Sequence, residues 1–398
     1  MELRTVHRAE IRGVLQREFL HVKNAGFDRI MKCDVLIVGA GFAGLVMAER
    51  LSSIGKHCVL IDKRNHVGGN AHDEYNEQGV LVHPYGGHLF STNSDRVFEY
   101  LSRFTEWIPA TYTAKSFTQG KLWSFPINLQ TYEQLIGRPS TTEEMEAYLT
   151  ERRVPIAHPV NSEEAIISQV GWELYDMFYR GYVKKMWDCS ARELAPAVCL
   201  RIPIRTNRDD RRLDGKYTCM PKFGYDAMFQ RLLKESPRVD VITGVDYKNF
   251  SCSYKHLVYT GCIDRFFDYE YGVLPYRSMR FEHETHEKEF FQPTVQVNYP
   301  NDFGFTRIIE IKHATGQVCP NTTIVKEYPE AFSLEKEPFY PVLSEGAATT
   351  YARYKTRAEA ISNTTFVGRL ATFKYYNMDQ VVGASLSAFE KVRVKLEG

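Results

Sequence analysis

A strand–turn–helix–strand unit near the start of this 398-residue chain constrains its fold more than any other feature. Residues 33–39 (CDVLIVG) are a short apolar run ending in glycine, the pattern of a parallel strand buried on both faces. Residues 43–54 follow with helical spacing, and 57–62 (HCVLID) form a second buried strand ending in an acid. Between the first strand and the helix stands Gly39-Ala40-Gly41-Phe42-Ala43-Gly44, a GxGxxG motif in its proper context. Gly39 permits the tight turn, Gly41 lets backbone approach a pyrophosphate, and Gly44 lets helix and strand pack closely. The helix N-terminus then faces the phosphate charge. Asp62 ends the second strand, where an acid accepts hydrogen bonds from a ribose. A purely structural glycine turn is the competing reading. Strand, helix, second strand and terminal acid together favour a dinucleotide.

Residues 62–70 (DKRNHVGGN) bear on which dinucleotide it is. A basic residue, Lys63, and a second glycine pair ending in Gly69 and followed by Asn70 come soon after the ribose acid. This arrangement resembles FAD enzymes related to amine oxidases, in which the second pair passes close to the flavin side of the cofactor. Gly368-Arg369-Leu370 closes a strand before a helix, and in such folds that helix N-terminus covers the flavin or its ribityl chain. These features favour FAD over NAD.

The rest of the chain suggests further lobes, as its length demands. Residues 112–128 read as antiparallel strands with a turn at Gln119-Gly120. Segments 141–152, 161–169 and 171–186 are charged, amphipathic and nearly free of glycine, which predicts a helical lobe. Residues 240–260 return to strands. Residues 271–330 alternate apolar and polar, with turn signals at Pro300-Asn301 and Thr315-Gly316, which predicts an antiparallel sheet. A strand at 365–368 precedes a helix at about 378–395. The fold class is therefore α/β: a Rossmann-like FAD-binding lobe with an inserted helical bundle and an antiparallel β-sheet lobe. Residues 1–30 show weak helical periodicity and carry no assigned function.

Net charge is +1, so no global field attracts nucleic acid or an anionic membrane, and anion recognition must come from locally placed arginines. The eight cysteines form no CxxC pair and read as free thiols in a reducing compartment. No apolar run approaches the roughly 18–20 residues that span a bilayer, and no signal-peptide core is present. The expected location is the cytoplasm.

Over nearly all of residues 33–390 the sequence closely resembles bacterial UDP-galactopyranose mutases. The blocks that carry the resemblance include IDKRNHVGGNAHD, YGGHLFST, GYVKKMW, IPIR, LPYRSMRFE, FTRIIEIKH, KEYPEAF and GRLATFKYYNMDQV. The resemblance implies a discontinuous FAD domain (31–108, 218–265 and 344–398), a helical substrate domain with a mobile loop (129–217), a sheet domain (109–128 and 266–343) and an N-terminal extension (1–30). It implies ring contraction of UDP-galactopyranose to UDP-galactofuranose without net redox change. Reduced FAD would act through N5 as a nucleophile toward the anomeric carbon, with UDP leaving. Implied partners are the nucleotide-sugar substrate, an external reductant and a second copy in a homodimer; no nucleic acid, membrane or metal is expected.

Site residues carry over by position. Arg201 and Arg307 match the family's two diphosphate-binding arginines, suited to the negative charge on a departing diphosphate. Tyr182 matches the aromatic that stacks on uracil, and Trp187 closes the segment of the mobile loop. Tyr340 and Tyr375 match tyrosines that donate hydrogen bonds to the diphosphate. Asn298 matches a polar position beside the sugar or flavin. His88 matches a histidine near the flavin and joins the two arginines in the expected catalytic set. The expected cofactor contacts are Gly39, Gly41, Phe42, Ala43, Gly44, Asp62, Lys63, Gly69, Asn70, His88, Leu89, Arg369, Tyr376, Asn377, Met378 and Asp379. His283 and His286 lie three apart, not in an HExxH, and read as part of a charged strand or turn.

The match departs at several places. Val183 stands where many members have threonine, Asn377 where many have aspartate, and Tyr112 near a position often held by asparagine. In 208–217 (RDDRRLDGKY), Arg212 and Leu213 occupy the register of an aromatic pair that approaches substrate. One reading is drift. The other is an altered donor: another UDP-hexose, an N-acetylated sugar such as UDP-N-acetylgalactosamine, or a deoxysugar on a different nucleotide. The rivals outside this class are an amine-oxidase-like oxidoreductase sharing only the cofactor lobe, and a FAD-stabilised binding protein without turnover.

Overall fold

The computed structural model of the chain describes residues 31–397. The weak helical periodicity of residues 1–30 lies outside the described residues.

Strand β1 (Met31–Val38), helix α1 (Phe42–Ser53) and strand β2 (Cys58–Asp62) form the predicted βαβ start. They belong to a five-stranded, wholly parallel sheet in the order Val239–Thr243, β2, β1, Cys252–Tyr259, Thr364–Phe366. The sheet draws its strands from three separated stretches of the chain. Side chains alternate across it as strand geometry requires. Val35, Ile37, Leu60 and Val258 face a core shared with α1 and Phe389 of the last helix. Leu36, Val59, Ile61, Leu257 and Tyr259 face a second core with Phe266 and Phe366 packed against it. Both faces are buried at the centre of the sheet, which is why the end of β1 and β2 read as apolar runs. Helix α1 packs on the Met378–Glu397 helix and on Gly224–Lys234.

A seven-stranded sheet has the order Tyr340–Pro341, Tyr276–His286, Thr322–Ala331, Arg307–Ile309, Gln296–Asn298, Ala114–Thr118, Lys121–Phe125. Its hairpin turns at Gln119 (φ 51°) and Gly120 (φ 76°), the left-handed pair that suits a two-residue loop. The sheet is antiparallel with one exception: Gln296–Asn298 runs parallel to Ala114–Thr118, a pairing that needs a long connection and has one, through the helical insert and strands of the other sheets. His283 and His286 both lie on the strand Tyr276–His286. The Thr315-Gly316 signal is not a strand turn. It ends a short helix, Lys312–Thr315, with Gly316 left-handed at φ 62°.

The helical insert holds Leu129–Ile136, Thr142–Arg152, Ser162–Tyr175 and Gly181–Trp187. Asn128, Thr141 and Asn161 cap the first three, each accepting the backbone N–H of the third residue of its helix. Gly171 breaks the third helix at φ 77°, and a π turn, Asp176–Arg180, joins it to the last. A small antiparallel sheet pairs Tyr217–Pro221 with Phe90–Thr92 and Trp107–Pro109. All eight cysteines are free thiols.

Candidate functional site

A cavity of about 520 Å³ opens at the carboxyl ends of the parallel strands. Val38, Asp62 and Thr260 line it from that sheet; Tyr276, Arg307 and Tyr340 line it from the seven-stranded sheet. This is the crevice in which open α/β sheets bind ligands.

At one end the wall is backbone. Gly39 has φ 98°, and a Cβ there would lie 2.0 Å from Thr260 Oγ1; one on Gly44 would lie 1.8 Å from the Gly39 carbonyl oxygen. These two glycines are required by the protein's own packing. Gly41 differs: the nearest atom to a Cβ there is Gly69 Cα at 3.7 Å, an ordinary contact. Its bare side is left to the cavity. Gly41 is also the N-cap of α1 and offers no side-chain oxygen to the first turn, so the amide donors there remain for a ligand. Asp62 Oδ2 accepts the Ala40 N–H at 2.7 Å and Oδ1 the Arg64 N–H at 2.8 Å. Each oxygen keeps a lone pair free. The Gly68 N–H donates to the Ala40 carbonyl at 2.8 Å, which seats the second glycine pair on the first loop. An uncapped helix terminus, a bare glycine and an acid at the strand end fit a dinucleotide.

At the other end the wall is side chains from distant elements. Arg307 Nε donates to Glu327 Oε2 at 2.5 Å, and Glu327 is 1% exposed. Burial works against the Arg307 charge, but Glu327 and the tyrosines around it hold the guanidinium protonated, above its usual range. The second oxygen of Glu327 has no hydrogen-bond partner among the described residues. Arg201 follows a short helix, Ala197–Leu200; it donates to Asn377 Oδ1 at 2.7 Å and lies 4.1 Å over the Tyr375 ring. Arg369 lies 5.3 Å from the Tyr340 ring centre. Tyr340 and Tyr375 meet edge-on at 5.4 Å, and burial pushes the Tyr340 hydroxyl up to about 12. The Tyr340 phenol therefore remains a donor at neutral pH.

His88 is held between the two ends. Its Nδ1 lies 2.8 Å from the Gly86 carbonyl oxygen, so that nitrogen carries the hydrogen and Nε2 is the acceptor. Enclosure pushes its pKa down to about 4, with Arg369, Arg307 and Arg64 adding to the effect, and the ring is neutral at pH 7.

Most of the residues expected at the site line this one cavity. Gly39, Gly41, Phe42, Ala43, Asp62, Lys63, Gly69, Asn70, His88, Leu89, Arg369, Tyr376, Asn377 and Met378 do so, as do Arg201, Arg307, Tyr340 and Tyr375. Five others are not among its lining residues. Gly44 packs on Gly39, and Asp379 accepts the Thr92 hydroxyl at 3.1 Å. Trp187 is buried, and its ring packs edge-on against those two tyrosines, 5.6 Å from Tyr375 and 6.4 Å from Tyr340. Tyr182 packs with the helical core. Asn298 accepts from Gln296 Nε2 at 2.5 Å and pairs with Arg307 across the strands.

Sequence reasoning missed Glu327, Gln296, His83 and Asp73. Glu327 opposes Arg307 in strand register, a pairing that no local pattern reveals. Gln296 accepts from the Tyr112 hydroxyl and so links Tyr112 to Asn298. The His88 N–H donates to His83 Nδ1 at 3.1 Å, and His83 Nε2 lies 3.7 Å from Asp73. Asp73 in turn accepts the Tyr225 and Asp226 N–H groups at 2.6 and 2.7 Å, at the start of the helix Gly224–Lys234. The one available signal was His83, a polar residue closing the apolar run Val80-Leu81-Val82; Asp73 lies in a polar stretch and carried none.

A profile described as UDP-galactopyranose mutase matches residues 177–375, and one described as NAD(P)-binding Rossmann-like domain matches residues 37–104. A probable UDP-galactopyranose mutase of Klebsiella pneumoniae is 33% identical over 379 residues, covering 90% of this chain and 94% of that protein. The chain belongs to the UDP-galactopyranose mutase family. A dTDP-fucopyranose mutase of Escherichia coli is 34% identical over 87% of this chain and 94% of its own length. Among solved structures, reduced UDP-galactopyranose mutase matches with a TM-score of 0.74 over 91% of this chain and 96% of that one. At 16% identity this likeness concerns the fold alone, as does that to a redesigned putrescine oxidase at a TM-score of 0.60 and 14% identity, covering 92% of this chain and 99% of that one. Membership in the mutase family makes the chain an isomerase and implies a flavin cofactor. Among the described residues no helix is long and apolar enough to cross a membrane.

Proposed function

We propose that this chain interconverts UDP-galactopyranose and UDP-galactofuranose, with FAD in the cavity and active only when reduced. The observation that carries this reading is convergence: Arg201, Arg307, Tyr340 and Tyr375 line the same cavity as the glycine loop. An amine-oxidase-like chemistry needs no such set of diphosphate ligands. When bound, reduced FAD supplies the nucleophile for the anomeric carbon. The protein's part is position and charge. The amides of the α1 N-terminus and Asp62 hold the dinucleotide. Arg201 and Arg307 stabilise the diphosphate as it leaves, and the phenols of Tyr340 and Tyr375 donate to it. His88, neutral, presents an acceptor beside the flavin. The division into a discontinuous FAD domain, a helical substrate domain and a sheet domain is part of the same reading. So are cytoplasmic location, an external reductant and a homodimer.

The deciding assay incubates dithionite-reduced protein with UDP-galactofuranose and follows UDP-galactopyranose by chromatography. Conversion by the reduced form only is expected. No conversion sinks the UDP-galactose reading, and conversion by oxidised protein alone sinks the role of reduced flavin. A second reading, a mutase for another nucleotide sugar, is favoured by Leu213 on the cavity wall and by the likeness to a dTDP-fucopyranose mutase. The same assay with dTDP-fucose in place of the UDP-sugar separates the two.

A further inference from the structure

The segment 205–216 carries five basic residues, Arg205, Arg208, Arg211, Arg212 and Lys216. Four are paired. Arg205 bonds Asp214 at 2.9 Å, Arg208 bonds Glu133 at 2.5 Å, Arg211 bonds Asp209 at 2.8 Å, and Lys216 bonds Asp95 at 2.5 Å. Arg212 has no ion pair among the described residues, and it is the one of the five that lines the cavity. Its backbone is fixed: the Arg212 N–H donates to the Tyr112 carbonyl at 2.7 Å, and Arg211 bridges Thr113. Its guanidinium lies 5.9 Å from the Tyr112 ring centre. The Tyr112 hydroxyl bonds Gln296, which bonds Asn298, the strand partner of Arg307. Arg212 and Arg307 thus stand about the same ring.

A half-buried guanidinium held in place without a counter-charge is costly unless a ligand supplies one. The charge on this wall is unevenly matched. Glu327 largely neutralises Arg307, whereas among the described residues Arg201 meets an amide oxygen and a ring face and Arg212 a ring face, neither of them a counter-charge. We propose that Arg212 is a third guanidinium ligand of the donor's diphosphate, beside Arg201 and Arg307. The inference rests on the nucleotide-sugar reading above. It makes the charged diphosphate, common to UDP and dTDP donors, a main source of affinity at this end, with the sugar read elsewhere.

The test measures binding of UDP, dTDP and UDP-galactose to the flavin-loaded protein by calorimetry. Arg212→Gln is expected to weaken all three by about tenfold, the scale of one lost charge-assisted hydrogen bond. Arg212→Lys should recover most of that loss, which a merely structural defect would not allow. Unchanged flavin content shows that the variants fold, and Arg212→Lys carries the test if Arg212→Gln does not. Loss of UDP-galactose binding with UDP unaffected overturns the proposal, since Arg212 would then read the sugar. Unchanged binding of all three overturns it too. If the unaltered protein binds neither UDP nor dTDP, the nucleotide-sugar reading itself falls, a result distinct from either.

Discussion

The two ends of the cavity are built by opposite means. The dinucleotide end is backbone: a turn, a helix terminus and one acid, all within 39–69. The donor end is side chains from four separate stretches: Arg201, Arg307, Tyr340 and Tyr375. A backbone site tolerates no side chain where glycine stands, but its groups cost little to hold, since secondary structure already orders them. A side-chain site must support each charge with a partner, and Glu327, Asn377 and Trp187 are those supports. A change at the first end should therefore act through packing, and at the second through charge.

The largest expected effect tests the first half of this contrast. Gly44→Ala puts a methyl 1.8 Å from the Gly39 carbonyl, so it should yield protein without flavin, or insoluble protein. Flavin absorbance of the purified variant checks this; normal flavin content would show that the loop yields more easily than its geometry allows. Next come the two arginines, which should differ from each other. Arg307→Ala leaves Glu327 buried and unpaired, so it should lose most turnover and about 3–5 kcal/mol of stability. Arg201→Ala should lose turnover at least hundredfold at little cost in stability, because its partners are an amide and a ring face. Denaturant melts beside turnover assays separate the two, and equal stability losses would break the contrast. Both variants should stay yellow.

The smallest effect concerns pH. Burial pushes His83 down to about 3 and raises Asp73 to about 7. His83, lowered when folded, contributes stability present above its unfolded value of about 6.5 and lost as pH falls through the folded value. Asp73, raised when folded, contributes stability present below about 3.9 and lost as pH rises through about 7. Between about 4 and 6.5 the two slopes oppose. Asp73→Asn removes one of them, so the variant's stability should climb with pH there by up to about 1.4 kcal/mol per unit. Urea midpoints at pH 4.5, 5.5 and 6.5 check it; a flat profile would mean that His83 does not titrate alone.

How far each end could be read in advance follows from the same contrast. The βαβ unit, GxGxxG and Asp62 were legible because each is a local pattern with a local cause. The two-residue turn at Gln119-Gly120 was legible for the same reason. The turn at Thr315-Gly316 was not, because glycine ends a helix as readily as it turns a hairpin. At the donor end, Arg201 and Arg307 came only through resemblance to a family, since nothing local marks them. Trp187 and Tyr182 came through the same resemblance: the fold packs Trp187 against Tyr375 and Tyr340 and sets Tyr182 near Arg307 and Tyr112, contacts between distant residues that no local pattern announces.

By itself the sequence determined a dinucleotide loop, because glycine spacing and strand periodicity act over a few residues. Tertiary structure alone decided that Glu327 neutralises Arg307, that His83 and Asp73 hold the loop of His88, and that Arg212 faces the cavity with no ion pair among the described residues. Those are pairings between residues far apart in the chain. Their energy depends on burial and distance, which exist only once the sheets have packed.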